Sequence, residues 1–482
     1  MQTEKTIYWY DLETFGSDPQ QDRACQFAGI RTDEQLNIID EPLLLYCQPS
    51  LDTLPEPEAC LITGISPQLA EQKGLREAEF AARIQAEFSE PGTCVAGYNN
   101  LRFDDEVTRR LFYRNFYDPY EREWKNGNSR WDIIDLLRMC HALRPEGIKW
   151  PLREDGATSF RLEALTDANG ISHEAAHDAL SDVYATIALA RLVREKQAKL
   201  YDFYYRLRDK HAVLAMLDLK QAEPLLHISS RYPASRACMA PVVPLMLDPG
   251  NPNGFIVYDL SQDPREWIDE SAEAIQHRLF TPSAELPEGS QRIALKTLHS
   301  NRCPALAPLS VLTQEIMQRY EIDLAQCEAH RQILLSTTGL QEKLSEVFSR
   351  EYPEESDPDL MLYSGGFFDQ HDRQAMSHLR QLNAEELAAY QGEWHDARLP
   401  ELLFRYRCRN FPDSLSSVER SRWQIYCRQK LLSPANADRS LQAVSARIDE
   451  KIKSASQAQK LVLEELTQYI ARLCSDFGIE AR

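Results

Sequence analysis

The 482-residue sequence has no apolar run approaching the roughly 20 residues that a membrane-spanning helix needs. Its opening, MQTEKTIYWYD, lacks the basic start and apolar middle of a secretory signal. Both absences lead to an expectation of a cytoplasmic protein without membrane contact. The 11 cysteines never fall in CxxC pairs and keep no regular spacing, which argues against a disulfide framework or a zinc site. Reduced, buried thiols are expected instead. No repeat of fixed period is visible. Positive charge is also in short supply: 54 Lys and Arg face 74 Asp and Glu, for a net charge of −20. Such a balance excludes a generic nucleic-acid coat, which is usually basic. It leaves room for a nucleic-acid enzyme that makes a local basic groove or recruits metal ions.

Hydrophobic residues at 43% and charged residues at 27% suit a globular chain. The length is too great for one core, so two to four domains are expected. Residues 1–198 alternate strand-like and helix-like stretches and read as a mixed α/β domain. KTIYWYDLE is a strand, and AGIRTDEQLNIIDEPLLLYCQP reads as two strands of a hairpin or meander. REAEFAARIQAEFS has the helical spacing of Phe80, Ile84 and Phe88. TCVAGYN is a short strand, and DEVTRRLFYRNFY and HDALSDVYATIALARLVREKQ are helices. Residues 199–350 change character: PLLHISS, APVVPLMLD, NGFIVYDLS and RIALKTLHS are strand candidates parted by Pro, Gly and Asn. From 351 the acids, prolines and glycines of EYPEESDPDLMLYSGG read as a linker, and the remainder to 482 as charged helices.

Three short stretches carry candidate chemistry. In YWYDLETFG, Asp11 and Glu13 stand two apart at the end of an apolar strand and so share a face. Two adjacent carboxylates repel unless something positive lies between them. A solvated edge and a divalent metal site both satisfy that condition. In GYNNLRFDDEV, Asp104 and Asp105 open a helix, where an acid also serves simply as a cap. In HEAAHDALSDVYATIALARL, Asp182 lies on the apolar side of a helix, and His177 precedes it by five. Five residues turn about 140° past a full circle on a helix, so the two share no face if both are helical. With Asp178 as N-cap, His177 falls in the preceding loop and is free to reach the same site. A loop histidine and a paired aspartate are the alternative.

Taken together, DxE on a first strand, N-x-x-F-D about ninety residues on, and H-x(4)-D late resemble the DEDD superfamily of 3′→5′ exonucleases. His177 resembles the histidine of the DEDDh branch; the sister branch has Tyr where Asp178 stands. Denser text is similar to the bacterial exodeoxyribonuclease I family: DLETFGSDPQQDRACQFAGIRTD, LITGISPQ, GYNNLRFDDEVTRRLFYRNFYDPY, NSRWDIIDLLR, ALRPEGIKWP and SFRLEALTDANGISHEAAHDALSDVYATIALARLV. Thinner likeness continues in CPALA, LYSGGFFDQHDRQAM and LLFRYRCRNFPDSL.

The resemblance implies an α/β, RNase H-like DEDDh exonuclease domain, then an SH3-like β-rich domain and an all-α C-terminal domain. It further implies two Mg2+ ions per site, with Mn2+ as a substitute, held by Asp11, Glu13, Asp104 and Asp182. Asp104 rather than Asp105 is the ligand, because the motif places the acid directly after Phe103. His177 then takes a proton from the attacking water. The implied substrate is single-stranded DNA, cut stepwise from a 3′ end to 5′-mononucleotides in DNA repair or recombination. Glu13, Thr14, Asn100, Phe103 and Arg161 are its implied contacts. For Asn100 a turn-forming role is an equal alternative, and for Arg161 a surface position at a helix start is.

Six aromatics near the same segment, Phe15, Tyr98, Phe103, Tyr113, Phe116 and Trp131, divide between base-stacking platforms and core, with core favoured for most. RYRCRNF (405–411) reads as a solvated helix face in preference to a DNA path. The family also docks on the acidic, Phe-ended C-terminal tail of single-stranded DNA-binding protein, with Arg144 at the position of a contacting basic residue, and a monomer is implied. Two rival expectations remain: an RNA-degrading or proofreading DEDDh exonuclease, and an inert single-stranded DNA-binding scaffold.

Overall fold

A computed structural model describes residues 5–173, 177–282, 285–287, 289, 291–349, 355–435 and 437–480. Two compact units make up the chain: Met1–Ser129, His173–Ile187 and Glu354–Arg482 form the first, Arg130–Ser172 and Ala188–Pro353 the second.

In the first unit, strands β1 (Thr6–Thr14), β2 (Ala24–Asp33), β3 (Leu43–Tyr46) and β4 (Thr93–Gly97) form a sheet in the order β3-β2-β1-β4. The chain passes to the second unit within β5 (Ser129–Asp132). β1 pairs antiparallel with β2 and parallel with β4, so it is central. Both its faces are covered, which is why Ile7, Tyr8, Trp9, Tyr10 and Leu12 run without polar alternation. Helix Glu77–Ser89 lays Phe80, Ile84 and Phe88 on this sheet, at the spacing expected. Tyr10 meets Phe88 edge-on with centroids 4.9 Å apart, and Phe27 meets Phe80 at 6.4 Å. Each such buried ring contributes roughly 1.5–3 kcal/mol.

The register slips between Glu13 and Thr14, so that Glu13 faces Gln26 and Thr14 faces Ala24. A bulge re-aims the strand where it appears, and here it ends β1 just past the two acids. β2 starts earlier than the sequence pattern implied, because Ala24, Cys25 and Gln26 are buried and paired rather than loop. Two short helices in this unit, Pro57–Thr63 and Pro67–Lys73, also escaped the pattern.

The C-terminal helices Gln370–Leu379, Leu399–Asn410, Ser417–Leu432, Leu441–Lys451 and Gln457–Asp476 belong to the same unit. Their core residues Trp423, Leu463 and Leu473 are continuous with Phe15, Cys25 and Cys60. Two expectations are corrected in this region. Arg405, Arg407 and Arg409 do not form a solvated face; all three are buried. Arg409 reaches Asp52 at 2.8 Å and Asp359 at 3.0 Å, Arg405 reaches Asp359 at 2.9 Å, and Arg407 reaches Glu419 at 2.6 Å. The stretch 351–366 is no simple linker either, although its first four residues lie outside those described. Asp359 is buried between Arg405 and Arg409 and so docks that stretch on the unit.

The second unit holds a five-stranded antiparallel sheet, ordered β10-β6-β7-β8-β9, from β6 (Leu225–Ile228), β7 (Met239–Asp248), β8 (Asn251–Asp259), β9 (Leu295–His299) and β10 (Ala305–Pro308). Four of these were legible; β10 was not. Pro244 in β7 falls where the register to β8 shifts, which is where a strand tolerates proline. Thus the chain is mixed α/β, then β-rich, then helical, as expected. All 11 cysteines are buried thiols. No described helix is long and apolar enough to cross a membrane.

Candidate active site

Asp11 and Glu13 continue the face of β1 that Ile7 and Trp9 begin, and both are half-buried. Leu12 between them points into the core on the other face. Opposite them, Gly97 ends β4. A Cβ there would lie 2.9 Å from both the Asn100 Cβ and the Tyr10 carbonyl oxygen, so the close turn requires glycine. The turn delivers Asp104 to the first position of helix Asp104–Arg114. The Leu12 backbone N–H donates to Asp104 Oδ1 at 3.1 Å, which ties this acid to the strand between Asp11 and Glu13.

Asp105 faces the other way. Tyr10 Oη donates to its Oδ1 at 2.6 Å and Arg122 at 2.7 Å, both partners being buried. Asp104 thus lies against the strand of Asp11 and Glu13, and Asp105 against Tyr10 and Arg122.

Asp182 and His177 arrive from the other side. Helix Ala179–Lys196 begins just after Asp178, whose carboxylate accepts the Ser181 N–H at 3.4 Å, as an N-cap does. His177 precedes it in the left-handed region, at φ 65°, and is exposed. Donor atoms of Glu13, His177 and Asp182 all lie within 4.8 Å of one another. Burial pushes the Glu13 carboxyl up to about 9, and Asp182, Asp104 and Asp178 push in the same direction. Asp11 is held well above the carboxylate range by burial, then by Asp104, Glu13 and Asp182. Four acids thus share one poorly solvated space, an unfavourable arrangement that a divalent cation relieves. The oxygen-rich donor set fits a hard cation such as magnesium or manganese.

The remaining expected residues divide by unit. Thr14 and Phe103 line, with Glu13, a cleft of about 450 Å³. Ile62 and Ala59 from helix Pro57–Thr63 and Arg439 and Arg447 from the C-terminal region complete it. Thr14 is buried, with its hydroxyl donating to the Gly16 carbonyl at 2.5 Å. Asn100 lies in the turn between β4 and helix Asp104–Arg114. It is wholly buried, neither of its amide atoms has a hydrogen-bond partner among the described residues, and its backbone carbonyl accepts the Asp105 N–H at 2.8 Å. The turn-forming role is one of the two expected of it.

Arg161 and Arg144 both belong to the second unit and are exposed, Arg161 at the N-cap of helix Leu162–Ala168 and Arg144 at the end of helix Ile133–Leu143. Of the six aromatics, Phe15, Tyr113, Phe116 and Trp131 are core, while Tyr98 and Phe103 are half-buried.

Sequence reasoning missed two neighbours. His173 Nε2 lies 2.5 Å from Asp182 Oδ1, in hydrogen bond. Gln26, buried in β2, contacts the start of the helix that carries Asp182. The available signal for Gln26 was a lone polar residue inside the apolar run ACQFAGI.

Comparison with known proteins accounts for this architecture along nearly its whole length. Residues 8–190 match an exonuclease family, 208–350 the exonuclease I SH3-like domain, and 356–473 the exonuclease I C-terminal domain. Exodeoxyribonuclease I of Escherichia coli is 43% identical over 472 residues, which cover 97% of this chain and 98% of that one. A moderately thermophilic exonuclease I from Methylocaldum szegediense superposes with a TM-score of 0.93 at 52% identity, over 97% of this chain and 99% of that one. The zinc-bound form of the E. coli exonuclease I complex with single-stranded DNA does so with 0.92 at 42% identity, over 98% and 99%. With the three matched regions in the same order, and acids on one strand, one helix start and one late helix brought together, the chain belongs to the exonuclease I family.

Proposed function

We propose that the chain is a divalent-metal-dependent 3′→5′ exonuclease that degrades single-stranded DNA stepwise to 5′-mononucleotides. The observation that carries this reading is the convergence of Asp11, Glu13, Asp104 and Asp182 with His177, which holds the Asp11 and Glu13 carboxyls above their usual range. A solved relative with both zinc and single-stranded DNA bound supports it. The proposed ions are two Mg2+, with Mn2+ able to replace them.

Asp11, Glu13, Asp104 and Asp182 would hold the ions. When bound, the ions supply charge that shields the phosphate and eases deprotonation of water. His177, exposed in its loop, would accept the proton of the attacking water as a general base. Phe103 offers a half-buried ring to the terminal base, at about 1–3 kcal/mol for such stacking. Arg161 presents a guanidinium fork to a phosphate.

The proposed domains are 1–198 exonuclease, 199–350 SH3-like and 351–482 helical. A monomer in the cytoplasm, acting in DNA repair or recombination, completes the proposal. Arg144 would meet the acidic tail of single-stranded DNA-binding protein.

The test uses single-stranded DNA oligomers labelled at either end, with magnesium and then with chelator, beside Asp11→Ala and His177→Ala variants. Immediate release of labelled mononucleotide from the 3′ end, lost with chelator and with Asp11→Ala, supports the reading. His177→Ala is expected to slow release about 10²–10⁴-fold. Bound but intact DNA would favour a scaffold. Faster cutting of matched RNA would leave the site standing and overturn the substrate.

A further inference from the structure

Gln26 sits on β2 directly across from Glu13 and is 1% exposed. Its single amide tip makes three hydrogen bonds. Nε2 donates to Asp178 Oδ1 at 3.1 Å and to Tyr46 Oη at 2.9 Å. Oε1 accepts the Ala179 backbone N–H at 3.1 Å. Two of these three partners are the cap and the first residue of helix Ala179–Lys196. His177 is the residue immediately before them, and Asp182 is three residues beyond Ala179.

We propose that Gln26 is a positioning residue: it fastens the start of this helix to the strand beside β1, so that Glu13, His177 and Asp182 meet. The inference rests on the active-site reading above.

Only an amide meets the demand. The tip must donate to a carboxylate and accept from a backbone N–H at the same time. Glutamate would lose the donor and set a second negative charge against Asp178. Leucine would fill the volume but leave the Ala179 N–H without its partner in a buried place. His177 adds a further need for restraint, because a non-glycine residue at φ 65° persists only where its surroundings hold it. Fixing the cap and the first helical residue, directly after His177, supplies that restraint. Small displacements matter here, since a shift of about 1 Å in a reacting group can cost 10²-fold in rate.

The test compares Gln26→Leu with the unsubstituted protein and with Tyr46→Phe, all full-length. Mn2+ binding is measured by calorimetry without DNA, and kcat and KM on a single-stranded oligomer. Gln26→Leu is expected to weaken Mn2+ binding and lower kcat, each roughly 10–100-fold, the usual range for groups that orient metal ligands, with KM little changed. Tyr46→Phe removes the third partner without touching the helix and is expected to match the unsubstituted protein in all three readouts. Unchanged Mn2+ affinity and kcat in Gln26→Leu would overturn the proposal. So would an equal loss in Tyr46→Phe, since general loosening of the strand would then explain it. Failure of the unsubstituted protein to bind Mn2+ would instead bring down the active-site reading, and the role of Gln26 with it.

Discussion

Replacing Arg409 by methionine should destabilise the first unit while leaving the catalytic cleft lined as before. Arg409 is buried and donates to two carboxylates, Asp52 at 2.8 Å and Asp359 at 3.0 Å, which are themselves buried. Burial alone would push Asp52 up, but Arg409, Lys430 and Arg23 hold it well below the usual carboxylate range. Asp359 behaves likewise, with Arg409 and Arg405 opposing burial. Removing one partner of a buried pair costs about 3–5 kcal/mol, chiefly because the other charge is stranded. Residual partners soften the loss: Lys430 remains 3.1 Å from Asp52, and Arg405 remains 2.9 Å from Asp359. The lower end, about 3 kcal/mol, is therefore expected, or about two powers of ten in the folding equilibrium. Urea unfolding followed by tryptophan fluorescence reads this directly, since Trp423 lies beside Arg409 at 5.7 Å. A loss under about 1 kcal/mol would show that the carboxylates are already satisfied without Arg409, and would refute the ion-pair reasoning. Restoration by adding Asp52→Asn to the variant would support it.

Two more predictions concern the acids of the site. Glu13 and Asp11 bind protons more tightly folded than unfolded, so without metal stability is full below the ordinary carboxylate range and falls as pH rises toward about 9. Thermal unfolding in chelator should show a midpoint that drops across that window, and magnesium should raise it most at the alkaline end; a flat profile would contradict the assignment. Asp104 and Asp105 should separate cleanly. Asp104→Asn can still accept the Leu12 N–H and should fold normally yet lose nuclease activity, whereas Asp105→Asn strands the buried Arg122 and should cost about 3–5 kcal/mol of stability. Both variants are scored by the same melting and oligomer-release assays.

Local pattern revealed what local physics decides. The uninterrupted apolar residues of β1, the Phe80, Ile84 and Phe88 spacing, and the Asp178 cap before Asp182 each sit within a few residues of their cause, and each was legible. Helix Pro57–Thr63 is seven residues with no side-chain cap bond, too short for a periodicity to register. Arg409 and Arg405 read as a polar face because the sequence near them cannot show their partners, Asp52 at 357 positions from Arg409 and Asp359 at 46 from Arg405. Gln26 failed for the same reason: its helix-side partners lie over 150 positions on. The chemical residues were legible as types and spacings. Their partners, which convert a polar residue from solvated to structural, were set by tertiary contacts.

The inward-facing cysteines have a consequence for handling and for measurement. Because burial raises thiols such as Cys60 and Cys408 to about 12, little reactive thiolate is present in the native protein, and alkylating reagents should find almost nothing to modify. Each thiol becomes reactive only when its surroundings open. Cys25, Cys47 and Cys94 then report on the sheet of the first unit, Cys238 and Cys327 on the second, and Cys427 and Cys474 on the C-terminal helices. Timed labelling read by mass would rank these regions by how often they breathe. Eleven is also an odd number, so a chain unfolded in air cannot pair every sulfur within itself. At least one is left to crosslink a neighbour, which would turn brief unfolding under oxidising conditions into permanent loss.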